Sequence, residues 1–294
     1  MVTGGIQPKT RLVQGQRYSC LDSLQAGCQE LMPQKYGQPC SRYIAARIKS
    51  GYFSPEDYYE ALMHRLVTAD SSWLDVGCGR APFPNNLSLS AELSKRCQRL
   101  VGIDPDSAVI DNPFVHEHYN SGLEEYDKQA AFDLVTARMV VEHVSRPAEF
   151  TAALSRVTIP GSIVVIFTVN FWSLTTLAAR FSPMSAHLLA KRWLWGTEDK
   201  DTFPTVYKMN QRCELRELMT SAGFEERMFL VLPDASICWR IAVLRYAELA
   251  CWKTMRLLKI PYFDTCVLGV YQRVNDAGKA AMNGDIVPPE QLTD

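Results

Sequence analysis

Apolar residues in this chain gather into short runs that end in polar or glycine-rich stretches, the pattern of buried parallel strands rather than of half-exposed ones. The runs predict strands at about 72–76, 99–103, 132–137 and 163–168, the last β-branched and apolar on both faces. Between them, positions near 88–98 and 146–156 read as helices, the second carrying Phe150, Ala153 and Leu154 at helical spacing. Alternation of strand and helix predicts an α/β fold around a parallel sheet. Upstream, Tyr43 to Ile48 reads as helical. Ser54-Pro55-Glu56-Asp57 opens a further helix running to about Val67, with serine as cap and proline in its first turn. Met1 to Pro8 is polar and glycine-containing, a loose start. Downstream, Asn210 is placed to cap another helix.

Two of the strand ends carry chemistry. Trp73-Leu-Asp-Val-Gly-Cys-Gly79 is a strand ending in Asp75, followed by Gly77 and Gly79 around Cys78, where the backbone can turn tightly and approach a ligand without intervening Cβ atoms. Leu100-Val-Gly-Ile-Asp104 is a second strand ending in a carboxylate suited to the two hydroxyls of a ribose. In this order and one helix apart, the pair signals a nucleoside-binding site. A dinucleotide would need a third glycine three residues after Gly79 to meet its pyrophosphate, and that position is Pro82. S-adenosylmethionine has an adenosine but no phosphate, and its sulfonium charge benefits from an acid such as Asp75. The motif therefore favours that methyl donor over NAD.

From Trp73 onward the chain resembles the class I S-adenosylmethionine-dependent methyltransferases. Beyond the glycines the likeness rests on Gly102-Ile-Asp-Pro-Asp106, Phe132-Asp-Leu-Val-Thr-Ala-Arg-Met-Val-Val-Glu-His-Val144 and Pro160-Gly-Ser162. It extends through Phe203-Pro-Thr-Val-Tyr-Lys-Met-Asn210 and Ala222-Gly-Phe224, the last two shared with a bacterial subgroup. The resemblance spans roughly 73 to 274. It implies a doubly wound, Rossmann-like sheet of seven strands with an antiparallel last strand, here 265–274, preceded by an N-terminal helical cap and interrupted by insertions after strands five and six. It further implies Asp75, Gly77, Cys78 and Gly79 around the methionine portion of S-adenosylmethionine, Asp104 on the ribose and Pro105 against the adenine. Glu124, after Ser121 and Gly122, falls where the third strand should end and meet the adenine amine. Ala137 and Arg138 stand at the end of strand four, beside the methyl group. The product would be S-adenosyl-L-homocysteine.

Composition adds bounds. The 294 residues are long for one α/β core and short for two, so the expected organisation is a cap over 1–70, a methyltransferase domain over 71–274 and a flexible tail over 275–294. A formal net charge of -1 gives no global attraction to nucleic acid, so the expected partner is a small-molecule acceptor and no nucleic acid, a local basic face being the one way left for it to bind. The nine cysteines, in no paired spacing, suggest reduced thiols rather than disulfides or zinc. Neither a secretory leader nor an apolar run long enough for a membrane span is seen, so the expected location is cytoplasmic.

Two segments stand out by their aromatics. Residues 171–209 hold Phe171, Trp172, Phe181, Met184, Trp193, Trp195 and Tyr207 and read as a cap over the acceptor, the alternative being a small packed subdomain. Residues 237–259 read as a helix with Trp239 and Trp252 beside Arg240, Arg245, Lys253, Arg256 and Lys259. Basic residues with tryptophans suit an interfacial helix, but over this whole range the polar positions do not form one face. A core or homodimer contact is therefore the preferred reading over membrane contact.

The predicted reaction is attack by an acceptor, most readily an oxygen, on a sulfonium methyl within a bacterial biosynthetic pathway for a glycan, lipid or natural product. Alternatives are a cofactor-binding scaffold or regulator without transfer, and a non-methylating, cyclase-type enzyme. A base is optional, because alignment supplies much of the rate. His143, in a Glu-His pair that recurs on the cofactor side in the resembling family, is one candidate, with His187 and Tyr207 as others. Arg138 could orient an acidic acceptor or pair with a surface acid. Methyltransferases of ubiquinone biosynthesis carry an acid three residues before the Glu-His pair as part of a metal set. Here that residue is Met139, so no metal is expected.

Overall fold

The computed structural model describes residues 17–36, 41–129, 131–173, 205–235, 241–258, 260, 262 and 264–274. Their strands are β1 (Ser72–Val76), β2 (Arg99–Ile103), β3 (Glu117–Tyr119), β4 (Phe132–Arg138), β5 (Thr158–Val169), β6 (Phe224–Pro233) and β7 (Asp264–Arg273). They form one sheet in the order β3-β2-β1-β4-β5-β7-β6. The first five pair in parallel, and β7 runs antiparallel to both β5 and β6. This is the doubly wound sheet with an antiparallel closing strand that the sequence implies. Its helices are α1 (Arg17–Tyr36), α2 (Arg42–Ser50), α3 (Pro55–Leu66), α4 (Leu87–Arg96), α5 (Pro147–Val157), α6 (Arg212–Ser221) and α7 (Ala242–Leu257).

Both faces of the sheet are covered, which explains why its central strands are apolar throughout. On one face Trp73, Leu134, Val165 and Phe167 pack with Leu24, Tyr59, Met63, Leu89 and Leu93 from α1, α3 and α4. On the other, Leu74, Val135, Val164 and Ile166 pack with Phe150 and Leu154 of α5 and Leu215 and Met219 of α6. The period-two alternation along β1 thus sends Trp73 and Asp75 toward the N-terminal helices and Leu74 and Val76 toward α5.

A buried ionic network ties the N-terminal helices together. Ser54 caps α3 through a reciprocal capping box with Asp57, as its sequence predicts. Asp57 also accepts from Lys35 Nζ at 3.0 Å and Arg47 Nη2 at 2.6 Å, while Glu60 accepts from Lys35 at 2.9 Å and from Asn86 Nδ2 at 2.9 Å. Asn86 in turn caps α4. Burial alone would push the Asp57 carboxyl up, but Lys35, Arg47 and the Ser54 N–H hold it below the usual carboxylate range.

Within the expected 1–70 cap, α1 forms despite Gly27 and Pro33 because Leu24, Cys28, Leu31 and Met32 make a buried stripe on it. Three expectations need correction. The third strand stops at Tyr119, and Leu123–Glu125 is a single 3-10 turn, so Glu124 does not end a strand. Strand β5 begins at Thr158 rather than after Pro160-Gly161; its pairing with β4 slips there, between Phe132↔Thr158 and Leu134↔Ile163, and Gly161 takes a φ of 86°. Asn210 does not cap α6, whose cap is Gln211. Instead its buried amide donates to Thr168 Oγ1 and to the Val169 carbonyl, both at 2.9 Å, pinning the end of β5.

Replacing Asp57 by alanine leaves Lys35 and Arg47 buried without their shared acid, with an expected loss of about 3–5 kcal/mol in urea unfolding. Glu149→Ala, which removes the exposed Arg146–Glu149 pair, should change stability by less than about 1 kcal/mol. Equal effects would show that the network does not hold the cap.

Candidate functional site

The strand order reverses between β1 and β4, and open α/β sheets bind ligands outside the C-terminal ends of the strands at such a point. Gly77 leaves β1 there with a φ of 68°. A Cβ on it would lie 2.2 Å from Val140 Cγ2, so only glycine lets the turn after β4 close against it. Its N–H donates to the Ile103 carbonyl at 2.7 Å, joining the turn to β2. Gly79 has a φ of 47° and nothing within 4 Å of an added Cβ, so its backbone borders open space.

Asp104 lies just beyond β2 and is buried. The Gly79 N–H donates to one of its carboxylate oxygens at 2.9 Å, and the Asp106 N–H to the other at 2.8 Å. Since a carboxylate offers about four lone-pair directions, each oxygen keeps one for a diol. Asn120 Nδ2 donates to the Asp104 and Pro105 carbonyls at 3.0 and 2.9 Å, and Asn112 Nδ2 to the Gly79 carbonyl at 3.0 Å, fixing both loops. A cavity of about 360 Å³ opens beside them. It brings together Gly77, Asp104, Pro105, Ser121, Gly122, Glu124 and His143, with Ile103, Met139, Val140, Val144 and Phe150 as apolar walls.

On the α3 side of the glycine turn sits Asp75, 2% exposed. Trp73 Nε1 donates to Thr136 Oγ1 at 2.7 Å, and Thr136 Oγ1 donates to Asp75 Oδ1 at 2.7 Å. Burial pushes the Asp75 carboxyl up to about 6, opposed in part by Thr136 and Arg138 and reinforced by Asp104. Arg138 pairs with Glu56 of α3 at 3.7 Å, the surface-pair alternative of the two its sequence left open. Cys78 turns its thiol into the β1–β2 packing, where it closes over Gly102, and Ala137 is buried in the core below the cavity. Neither side chain lines the cavity.

The turn after β4 is laced to the exit of β5. Glu142 is buried, which raises its carboxyl, and Thr168 Oγ1 donates to it at 2.7 Å in partial opposition. The carbonyl of Glu142 accepts from the N–H groups of Val206 and Tyr207 at 2.8 and 3.1 Å, and Phe171 N–H donates to the Asn210 carbonyl at 3.2 Å. The returning stem of the aromatic insertion therefore anchors beside His143, and the outgoing stem is tied to it through Asn210. Tyr207 has a φ of 52° and is held there through its backbone. His187 lies outside the described residues, as do 174–204 and the 275–294 tail. Thr136, Asn112, Asn120 and Thr168 were missed from sequence; the one available signal was a lone threonine inside the apolar β4 run. A larger groove of about 910 Å³ along α6 and β6 is lined by Trp172 of the aromatic segment but by none of the predicted catalytic or cofactor-binding residues.

These residues fit an adenosyl cofactor bearing positive charge. Asp104 has acceptor capacity for a ribose, and Ile103, Val140, Val144 and Phe150 form a slot suited to a purine; Asp75 is a buried acid on the α3 side of the glycine turn and, like Gly79 and Arg138, does not line this cavity. They fit a pyrophosphate poorly, because α4 starts only at Leu87 and Asn86 already serves its first turn. A methyltransferase-domain family profile matches residues 52–227. The chain belongs to this family. With it comes membership of the class I S-adenosylmethionine-dependent methyltransferases, whose cofactor is S-adenosylmethionine. Among curated relatives, a ubiquinone biosynthesis O-methyltransferase of Rhodopseudomonas palustris is 27% identical over 179 residues, covering 58% of this chain and 65% of that protein. The mitochondrial ubiquinone biosynthesis O-methyltransferase of Arabidopsis thaliana is 29% identical over 167 residues, covering 52% and 48%. The chain thus spans less than two thirds of either relative. Among solved structures, a SAM-dependent methyltransferase of Methanosarcina mazei superposes with a TM-score of 0.47 at 17% identity over 73% of this chain and 98% of that one. Among the described residues no cluster of three or more His, Cys, Asp and Glu could hold a metal, and no helix is long and apolar enough to cross a membrane.

In this methyltransferase Asp104→Ala is expected to weaken S-adenosylmethionine binding by about 1.5–3 kcal/mol, the worth of a hydrogen bond to a charged group. Calorimetry showing unchanged affinity would remove Asp104 from the ribose. Because the folded pKa of Asp75 is raised, its proton is favoured in the folded state, and stability without cofactor should fall as pH climbs from the ordinary carboxylate range through about 6. Cofactor affinity should move the other way, rising with pH through about 6, because Asp75 must ionise to face a cation. Titrations across that range should be flat for Asp75→Asn, and an equally flat wild-type profile would separate Asp75 from the cofactor.

Proposed function

We propose that the chain transfers the methyl group of S-adenosylmethionine to a hydroxyl of a small or medium-sized acceptor in a biosynthetic pathway. The observation that carries this reading is the single cavity that unites the glycine turn, the Asp104 carboxylate and His143. Bound S-adenosylmethionine supplies a methyl already activated on a sulfonium. The work left to the protein is to hold the acceptor oxygen in line with it, which is worth several orders of magnitude. Asp104 holds the ribose end, and the backbone of Ser121 to Glu124 borders the adenine. Asp75 balances the positive charge of the methionine portion.

His143 is the group placed to take the acceptor proton. It stands on the cavity wall, and the Glu142 carbonyl beside it receives the returning stem of the aromatic insertion. That stem supports the insertion as the element that shapes the acceptor pocket. Relatives named for ubiquinone biosynthesis support oxygen as the acceptor atom and, among glycan, lipid and natural-product routes, favour the lipid one. In the proposed organisation a 71–274 methyltransferase domain acts beneath the 1–70 cap, inside the cell.

The test is transfer of labelled methyl from S-adenosylmethionine to a panel of hydroxylated aromatic acceptors, read with release of S-adenosylhomocysteine. His143→Ala should lower kcat by about 10²–10⁴-fold with cofactor affinity unchanged. Wild-type binding of cofactor without transfer to any acceptor would favour the scaffold reading.

A further inference from the structure

Helix α3 grips the loop that follows the glycine turn through two matching contacts. Glu56 and Glu60 are four residues apart, so their carboxylates lie on one face of the helix. They accept from the side-chain amides of consecutive residues in the loop running on from Gly79. Asn85 Nδ2 donates to the two carboxylate oxygens of Glu56 at 3.1 and 2.8 Å, and Asn86 Nδ2 donates to Glu60 at 2.9 Å. Beside them Tyr59 stacks on Phe167 of β5 at 5.2 Å and packs against Phe83 of the same loop at 5.7 Å. The two glutamates differ in what stands behind them. Glu60 is buried and shares Lys35 with Asp57, so it belongs to the network that holds the cap together. Glu56 is only half-buried, and its other contact reaches across the site: Arg138 Nη1, at the end of β4, lies 3.7 Å from Glu56 Oε1.

One carboxylate thus touches both segments that shape the glycine turn. Asn85 belongs to the loop whose first residue, Gly79, donates its N–H to Asp104. Arg138 directly precedes Met139, whose φ is 53° and whose N–H donates to the Phe167 carbonyl at 2.7 Å, and Met139 leads into Val140, which closes against Gly77. A side-chain-bearing residue keeps such a conformation only where its surroundings fix it, and the pull of Glu56 on Arg138 is one such restraint. We propose that Glu56 is a positioning residue for the cofactor, clasping the loop after β1 to the end of β4 so that the glycine turn keeps the spacing S-adenosylmethionine requires. It acts through Asn85 and Arg138 and touches no reacting atom. The inference rests on the cofactor lying at the glycine turn and is independent of the acceptor and of His143.

The test is calorimetric S-adenosylmethionine binding, together with thermal melting, on the full chain carrying Glu56→Ala, Asn85→Ala, both together, or Glu56→Gln, beside Asp104→Ala. Glu56→Ala is expected to weaken binding by about 3–10-fold, the worth of an ordinary hydrogen bond, with melting unchanged because the contact is exposed. Asn85→Ala should also weaken binding, and the double variant should lose no more than Glu56→Ala alone, since both changes remove one contact. Glu56→Gln keeps a carbonyl acceptor for Asn85 and should bind more tightly than Glu56→Ala. Unchanged affinity in Glu56→Ala, losses that multiply in the double variant, or a Glu56→Gln variant no better than Glu56→Ala overturns the proposal. So does an affinity loss matched by a lower melting temperature, because Glu56 would then support the fold rather than the turn. Wild-type affinity in Asp104→Ala removes the cofactor from the glycine turn and the clasp with it. A weakened Asp104→Ala beside an unaffected Glu56→Ala removes the clasp alone.

Discussion

A single close approach organises the C-terminal edge of the sheet. Residue 77 must be glycine because the turn after β4 passes so near that Val140 occupies the space of any Cβ. With that approach made, the ends of β1, β2 and β4 converge: Gly77 bonds to β2 through Ile103, Gly79 reaches the Asp104 carboxylate, and Val140 forms the opposite wall. Met139 takes a φ of 53° to allow it, an uncommon conformation for a side-chain-bearing residue. The cavity is the space this convergence leaves.

Around it, polar groups are sorted by what they support. Asp104 borders the cavity, and backbone N–H groups bond both of its carboxylate oxygens. Asp75 is held by the Trp73–Thr136 relay in a dry setting that favours its neutral form. Glu142 joins the β4 turn, the end of β5 and the returning stem of the aromatic insertion. Any shift of that stem is thereby felt at the residue next to His143. Helix α7 sits further out, fastened by its charges and aromatics to α2 and the α2–α3 connection.

Much of this was legible in the chain because local signals and tertiary demands agreed. Strands β1, β2 and β4 are continuous apolar runs because both of their faces are covered, and glycines and acids mark their ends. Ser54-Pro55-Glu56-Asp57 announces the start of α3 through backbone chemistry alone. Where the two levels diverged, the sequence misled. Gly27 and Pro33 hide a helix that packing against α3 and the core sustains, and Asn210 resembles a cap but is recruited by Thr168 across the sheet.

The sequence by itself determined the fold class, the position of the glycine turn and the kind of cofactor, because each depends on residue type at short range: apolar runs, a missing Cβ, a carboxylate at a strand's end, a proline where a phosphate would need glycine. Tertiary structure alone decided which side chains share the cavity, that Asp75 is dry and backed by Thr136, and that Arg138 faces Glu56. Those outcomes follow from contacts between residues far apart in the chain, whose geometry exists only once the sheet has closed.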